Sequence, residues 1–92
     1  MSEYRIVFTS HFKKDIKVAK RRGYDMRLME KVVDTLAAGE ELEAKYRDHK
    51  LAGNYAGCRE CHITPDWLLI YERYEDELIL YLTRTGTHSD VF

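Results

Sequence analysis

From Cys58 onward the chain reads as three apolar runs, Cys58–Ile63, Trp67–Arg73 and Leu78–Arg84, joined by links too short for anything but turns. Thr64-Pro65-Asp66 and Tyr74-Glu75-Asp76-Glu77 both carry turn chemistry. Strands joined this tightly pair as antiparallel neighbours, so the C-terminal half is expected to be a meander. Trp67-Leu68-Leu69-Ile70-Tyr71 and Leu78-Ile79-Leu80-Tyr81-Leu82 are apolar on both faces, which makes them central strands that need cover on each side.

Upstream the period changes. Tyr4, Ile6 and Phe8 alternate with Arg5 and Val7 as in a short half-buried strand. Thr9 or Ser10 can cap a helix that carries Phe12, Ile16 and Ala19 on one side, lysines on the other, and ends at Gly23. Asp25 can cap a second helix, with Leu28, Met29, Val32, Val33 and Leu36 at helical spacing until Gly39 permits a left-handed stop. The two helices form an antiparallel hairpin that covers one side of the sheet. Residues 40–57 show no clean period and read as an irregular connection, with room for one helical turn, that carries His49. The expected architecture is a two-layer α+β domain spanning residues 1–92, with the sheet face opposite the helices left partly open as a concave surface. A chain this short has no room for a second domain.

The net charge is −1, which argues against a protein that coats nucleic acid nonspecifically. The charge is nevertheless uneven. Lys13, Lys14, Lys17, Lys20, Arg21 and Arg22 crowd one segment, while Glu72, Glu75, Asp76 and Glu77 crowd another. The basic run is either a solvated helix face or an anchor for RNA phosphates or an acidic partner. No run approaches the roughly 20 apolar residues that span a bilayer, and the polar stretch Met1-Ser2-Glu3-Tyr4-Arg5 lacks the apolar core of a secretion signal, so a cytoplasmic location is expected. Cys58 and Cys61 lie three apart in a strand, point to opposite faces and cannot pair locally.

Histidine is the side chain most readily tuned to exchange protons near neutral pH. His11 reads as a surface residue of the first helix. His49, His62 and His88 lie in the less helical part of the chain. If Ile63 points beneath the helices, alternation turns Glu60 and His62 onto the open face. Gly86 can turn the chain sharply, letting the tail from Thr87 to Phe92 fold back over the same concavity and bring His88 there. Asp66 lies in the intervening turn. Three histidines and an acid also suit zinc, but their spacing matches no compact metal motif, and no metal or cofactor is expected. No serine is placed for a nucleophile elbow. Histidines with purely structural roles remain an open alternative at this stage.

The wording of three segments is specific. Tyr46-Arg47-Asp48-His49-Lys50-Leu51-Ala52-Gly53, then Cys58 through Tyr71, then Arg84-Thr85-Gly86-Thr87-His88 with the tail to Phe92, resemble the YafQ branch of the RelE toxin superfamily in order and spacing. The departures are Cys58 and Cys61. The resemblance implies a RelE-like fold and a ribosome-dependent endoribonuclease that is held inactive by a co-encoded DinJ- or RelB-like antitoxin in a hetero-oligomer. It implies His49, His62, Asp66 and His88 as the catalytic set, and Trp67 and Phe92 as residues that shape the site and contact RNA.

The expected reaction is metal-free attack of a ribose 2′-hydroxyl on the adjacent phosphorus, giving a 2′,3′-cyclic phosphate and a 5′-hydroxyl. His49 would act as base and His88 as acid, with Asp66 fixing a tautomer and His62 near the phosphate. Arg59, Arg84 and Lys50 are candidate RNA contacts, and Lys13, Lys14, Lys17, Lys20, Arg21 and Arg22 candidate ribosome contacts. The rival within the superfamily is a non-enzymatic, ParE-like inhibitor of DNA gyrase, which lacks the histidine set.

Overall fold

The computed structural model describes residues 3–92; Met1 and Ser2, part of the polar N-terminal stretch read above, lie outside the described residues. The strands are β1 (Arg5–Phe8), β2 (His49–Lys50), β3 (Arg59–Thr64), β4 (Trp67–Tyr74) and β5 (Ile79–Gly86), and the helices α1 (Ser10–Arg21), α2 (Met26–Ala37) and α3 (His88–Val91). Single 3-10 turns at Ala44–Tyr46 and Gly53–Tyr55 punctuate the long connection. The sheet order is β1-β5-β4-β3-β2.

The capping chemistry sets the helix starts. The Thr9 side chain accepts from the Phe12 amide at 3.0 Å, and Asp25 accepts from the Arg27 amide at 3.1 Å. Between them, Phe12, Ala19, Met29, Val32, Val33 and Leu36 are buried against Cys61, Ile63, Trp67, Leu69, Tyr71, Leu80 and Leu82 on one sheet face. Each fully buried Leu or Val side chain in that layer contributes roughly 1.5–3 kcal/mol.

The meander is present, with β3, β4 and β5 antiparallel. Two features depart from the sequence reading. First, β1 runs parallel to β5 at the sheet edge, with Arg5 opposite Ile79 and Phe8 opposite Leu82. Of the alternating residues, Tyr4 packs against the main core while Ile6 is 38% and Phe8 51% exposed, since the strand lies at the sheet edge.

Second, the connection is not wholly irregular. His49 and Lys50 pair with Glu60 and Arg59 as a fifth strand, too short for any periodicity to reveal. As expected, the face opposite the helix hairpin is partly open and partly covered by the C-terminal tail. Cys58, Leu68, Ile70 and Val91 form a second small core there, with Leu51 and Tyr55 packed against it. The chain turns at Gly86 and lays α3 over that core. Cys58 and Cys61 fall in the two different cores, on opposite sheet faces, and are free thiols.

Candidate functional site

The register of the meander builds the open face. His49 is the cross-strand partner of Glu60, and His62, two residues along β3, shares its face. His62 in turn faces Leu68, which faces Gly86. Two strand spacings, about 10 Å, therefore separate His62 from the residue that launches α3. A register shift between His62 and Thr64 gives the end of β3 an extra bend beside that histidine.

His49 is held by its neighbours in sequence. Asp48 Oδ1 accepts from the Tyr71 hydroxyl at 2.8 Å and from Arg59 Nε at 3.1 Å, which pins the loop to the sheet. Burial first, then the Asp48 hydrogen bond, pushes the Tyr71 phenol up, so it remains a donor at neutral pH. Arg47 adopts a left-handed conformation, φ 51°, and its carbonyl accepts from His49 Nδ1 at 2.7 Å. His62 has the matching arrangement, with Nδ1 3.3 Å from the Pro65 carbonyl. Both rings thus have Nδ1 fixed as the donor, leaving Nε2 as the nitrogen that exchanges a proton.

The two Nε2 atoms meet at one carboxylate oxygen. Glu60 Oε1 lies 3.4 Å from His49 Nε2 and 3.5 Å from His62 Nε2, and the ring centroids are 6.4 Å apart. These separations are within ion-pair reach yet long for a hydrogen bond, so neither nitrogen is fully committed to Glu60. Glu60 is only 5% exposed, and its Oε2 is buried without a partner. A buried polar atom left unpaired costs roughly 1–3 kcal/mol. Chemically, the arrangement can take a proton on either ring and neutralise the resulting charge through Glu60. Sequence reasoning placed Glu60 on this face but not in the site; its alternation with His62 was the available signal.

His88 is carried by α3, and among the described residues it makes no hydrogen bond, ion pair or ring contact with His49, His62 or Glu60. Thr87 and Asp90 form a reciprocal capping box around it, and its exposed ring stacks on Phe92 at 4.8 Å. Phe92 in turn meets the edge of Tyr55 at 5.4 Å, and the Tyr55 hydroxyl donates to the Val91 carbonyl at 2.7 Å. Asp66 is exposed in the β3–β4 turn, and among the described residues it makes no hydrogen bond to an imidazole. The tautomers are set by the carbonyls of Arg47 and Pro65, which corrects the expectation that Asp66 does so.

Other expected contacts need correction as well. Trp67 is 3% exposed, packs on Tyr24 at 4.9 Å and donates from Nε1 to Thr85 at 2.8 Å, so no ring face is open to a base. Arg59 is tied to Asp48. Arg84 Nε binds Asp15 at 2.7 Å, and its Nη2 donates to the Asp90 carbonyl at 3.2 Å. Arg22 is bound to the Asp90 carboxylate at 2.5 Å. Lys14 and Arg21 are exposed, as are Lys13, Lys17 and Lys20, but those three rim an apolar groove floored by Ile6, Phe8, Ile16 and Met29. Phe92 and Lys50 remain exposed.

Burial and Glu72 push the Cys58 thiol up to about 11, and burial raises Cys61 further, so neither supplies a thiolate nucleophile at neutral pH. Among the described residues no group of three or more His, Cys, Asp or Glu is arranged to hold a metal ion.

Comparison with known proteins gives a consistent result. The model of the family described as the bacterial toxin of type II toxin-antitoxin system, YafQ, matches residues 4–92. The mRNA interferase toxin YafQ of Escherichia coli K12 is 37% identical over all of this chain and 99% of its own length. YafQ in the Escherichia coli DinJ-YafQ toxin-antitoxin complex superposes with a TM-score of 0.89 at 35% identity, covering 98% of each chain. A metal-bound toxin from Helicobacter pylori superposes with a TM-score of 0.90 at 42% identity, covering 97% of this chain and 99% of that one.

Proposed function

This chain belongs to the YafQ family of bacterial type II toxin-antitoxin toxins, and we propose from that membership that it is an mRNA interferase acting on ribosome-bound messenger RNA in the cytoplasm. A DinJ-like antitoxin restrains it in a hetero-oligomer, as in the Escherichia coli complex. The full chain, residues 1–92, acts as one catalytic unit. The full-length match to mRNA interferase toxins leaves the gyrase-inhibitor reading without support.

The observation that carries the catalytic reading is the pair of imidazoles gathered on one buried carboxylate oxygen whose twin has no partner. His49 Nε2 takes the proton of the ribose 2′-hydroxyl, and the oxygen forms a bond to the adjacent phosphorus. The bond from phosphorus to the 5′ oxygen breaks, and His88 supplies the proton that oxygen needs. The products are a 2′,3′-cyclic phosphate and a 5′-hydroxyl, with no net loss or gain of protons once the two histidines exchange theirs with solvent. Glu60 stabilises the imidazolium formed at His49. His62 lies beside the phosphate, and Asp66 offers an exposed carboxylate at the adjoining turn. Phe92, stacked on His88, is the aromatic surface for a base in place of Trp67.

Each of the two proton transfers contributes on the order of 10²–10⁴-fold, and positioning by the ribosome supplies much of the remainder. Cells expressing the toxin alone should regain growth with His62→Ala or His88→Ala while the soluble protein stays folded; persistent toxicity removes that residue from the site. The metal-bound Helicobacter pylori relative makes chelation an informative control. EDTA, under conditions that keep ribosomes intact, should leave cleavage unchanged, and its loss would put a metal into the mechanism.

A further inference from the structure

Five of the arginines, among them the two candidate RNA contacts Arg59 and Arg84, are already engaged. Arg22, Arg27, Arg59 and Arg84 face carboxylates at 2.5, 3.1, 3.1 and 2.7 Å, and Arg73 gives its Nη1 to the carbonyls of Leu36 and Glu40. Among the described residues Arg5, Arg21 and Arg47 have no such partner. Of these, only Arg47 borders a groove that also contains a site histidine.

That groove, about 610 Å³, begins at His62 and runs past Thr64 and Pro65 to Lys45, Tyr46 and Arg47. Its volume suits a small ligand, and no acidic residue lines it. Lys45, exposed, stands 5.1 Å over the Tyr46 ring and adds a second positive charge. Arg47 occupies the ridge between this groove and another that holds Glu41, Glu43, Asp48 and Glu75, yet it forms no ion pair with any of them.

Arg47 is also fixed relative to the chemistry. Its left-handed backbone, costly for a residue with a side chain, holds the carbonyl that orients His49 Nδ1. A phosphate gripped by its guanidinium would set the register of an RNA strand against the His49 imidazole two residues away. We propose that the groove between His62 and Lys45–Arg47 is a subsite for the phosphodiester that neighbours the scissile one on a single-stranded RNA substrate, with Arg47 as the phosphate ligand. This rests on the nuclease reading above and extends it to strand binding outside the histidine cluster.

The test uses Arg47→Gly, which accepts the left-handed backbone and keeps the carbonyl while removing the charge, and Arg47→Lys, which keeps a charge. The probe is a fluorescein-labelled RNA hexamer with 2′-O-methyl riboses, which cannot be cut. Arg47→Gly should weaken hexamer binding about 10-fold and lower the slope of log K against log salt by about 0.7, with Arg47→Lys restoring most of that slope. On mRNA-programmed ribosomes Arg47→Gly should need correspondingly more toxin for half-maximal cleavage, while the His49 ring signals in the NMR spectrum stay in place. Equal affinity and slope for wild type and Arg47→Gly would overturn the proposal. So would a loss confined to ribosomes carrying no mRNA, because the charge would then face ribosomal RNA. The two readings fail separately. A wild-type protein that binds the hexamer through Arg47 but cuts no mRNA loses the nuclease claim and keeps the subsite, whereas cleavage equal in wild type and Arg47→Gly removes the subsite alone.

Discussion

The residue that most changes the account is Glu60. Its carboxylate is buried and bears on two histidines at once, a costly placement unless it works with them. Glu60→Gln keeps the volume and removes the charge. Cleavage should fall about 10²-fold with the melting temperature unchanged or slightly raised, measured on the same preparation; loss of stability in parallel with activity would mark Glu60 as structural. At this scale the sequence was legible where side-chain alternation alone decides the outcome. Ile63 inward put Glu60 and His62 outward, and that holds. It was not legible where a buried surface decides: nothing in the order of residues distinguishes a Trp67 that stacks on RNA from one that fills the core against Tyr24. The pairing of Arg84 with Asp15, far apart in the chain, was equally hidden.

Among the elements, α3 carries His88, the acid of the proposed mechanism, and can least stand alone. A helix of four residues has almost no intrinsic stability. It is held by the Thr87–Asp90 capping box and by a two-pronged contact from Arg22 Nη1 and Nη2 to the Asp90 carboxylate. The Arg22 side chain holds the Asp90 carboxyl well below the usual carboxylate range. A depressed carboxylate contributes stability above its unfolded pKa of about 4 and loses it as pH falls through the lower folded value. The anchor therefore persists across the whole range in which histidines titrate. Asp90→Asn should lower cleavage, and the difference in melting temperature between it and wild type should hold steady above about pH 5 and shrink below about pH 4. Arg22→Asp with Asp90→Arg should recover part of the lost activity; no recovery would mean that the pair does not position His88. Gly86 belongs to the same device. Its φ of 152° and the Asp90 side chain 2.8 Å from any added Cβ leave no room for alanine, so Gly86→Ala should displace the tail and the histidine with it. The two-residue β2 was beyond reach of periodicity, since its pairing comes from tertiary contacts of Asp48 with Tyr71 and Arg59.

At the scale of the whole molecule, a domain of 92 residues has little stability in reserve, about 5–15 kcal/mol. One truncation in the main core, Leu69→Ala, should cost about 2–5 kcal/mol and lower the melting temperature by more than about 10 °C. A drop of only a degree or two would show the core to be loosely packed. The two-layer plan was readable because it follows from periods of 2 and 3.6 and from short links. The parallel placement of β1 was not, because an edge partner is chosen by long-range packing. That placement leaves Ile6, Phe8 and the lysine-rimmed groove uncovered on the side away from the histidines. The most direct measurement of the central claim is to incubate purified toxin with translating ribosomes and determine both ends at every cut. Acid–base cleavage by the histidines gives new 5′-hydroxyls facing 2′,3′-cyclic phosphates, formed by wild type and absent with His49→Ala; 5′-phosphate ends, or equal cutting by that variant, would rule it out.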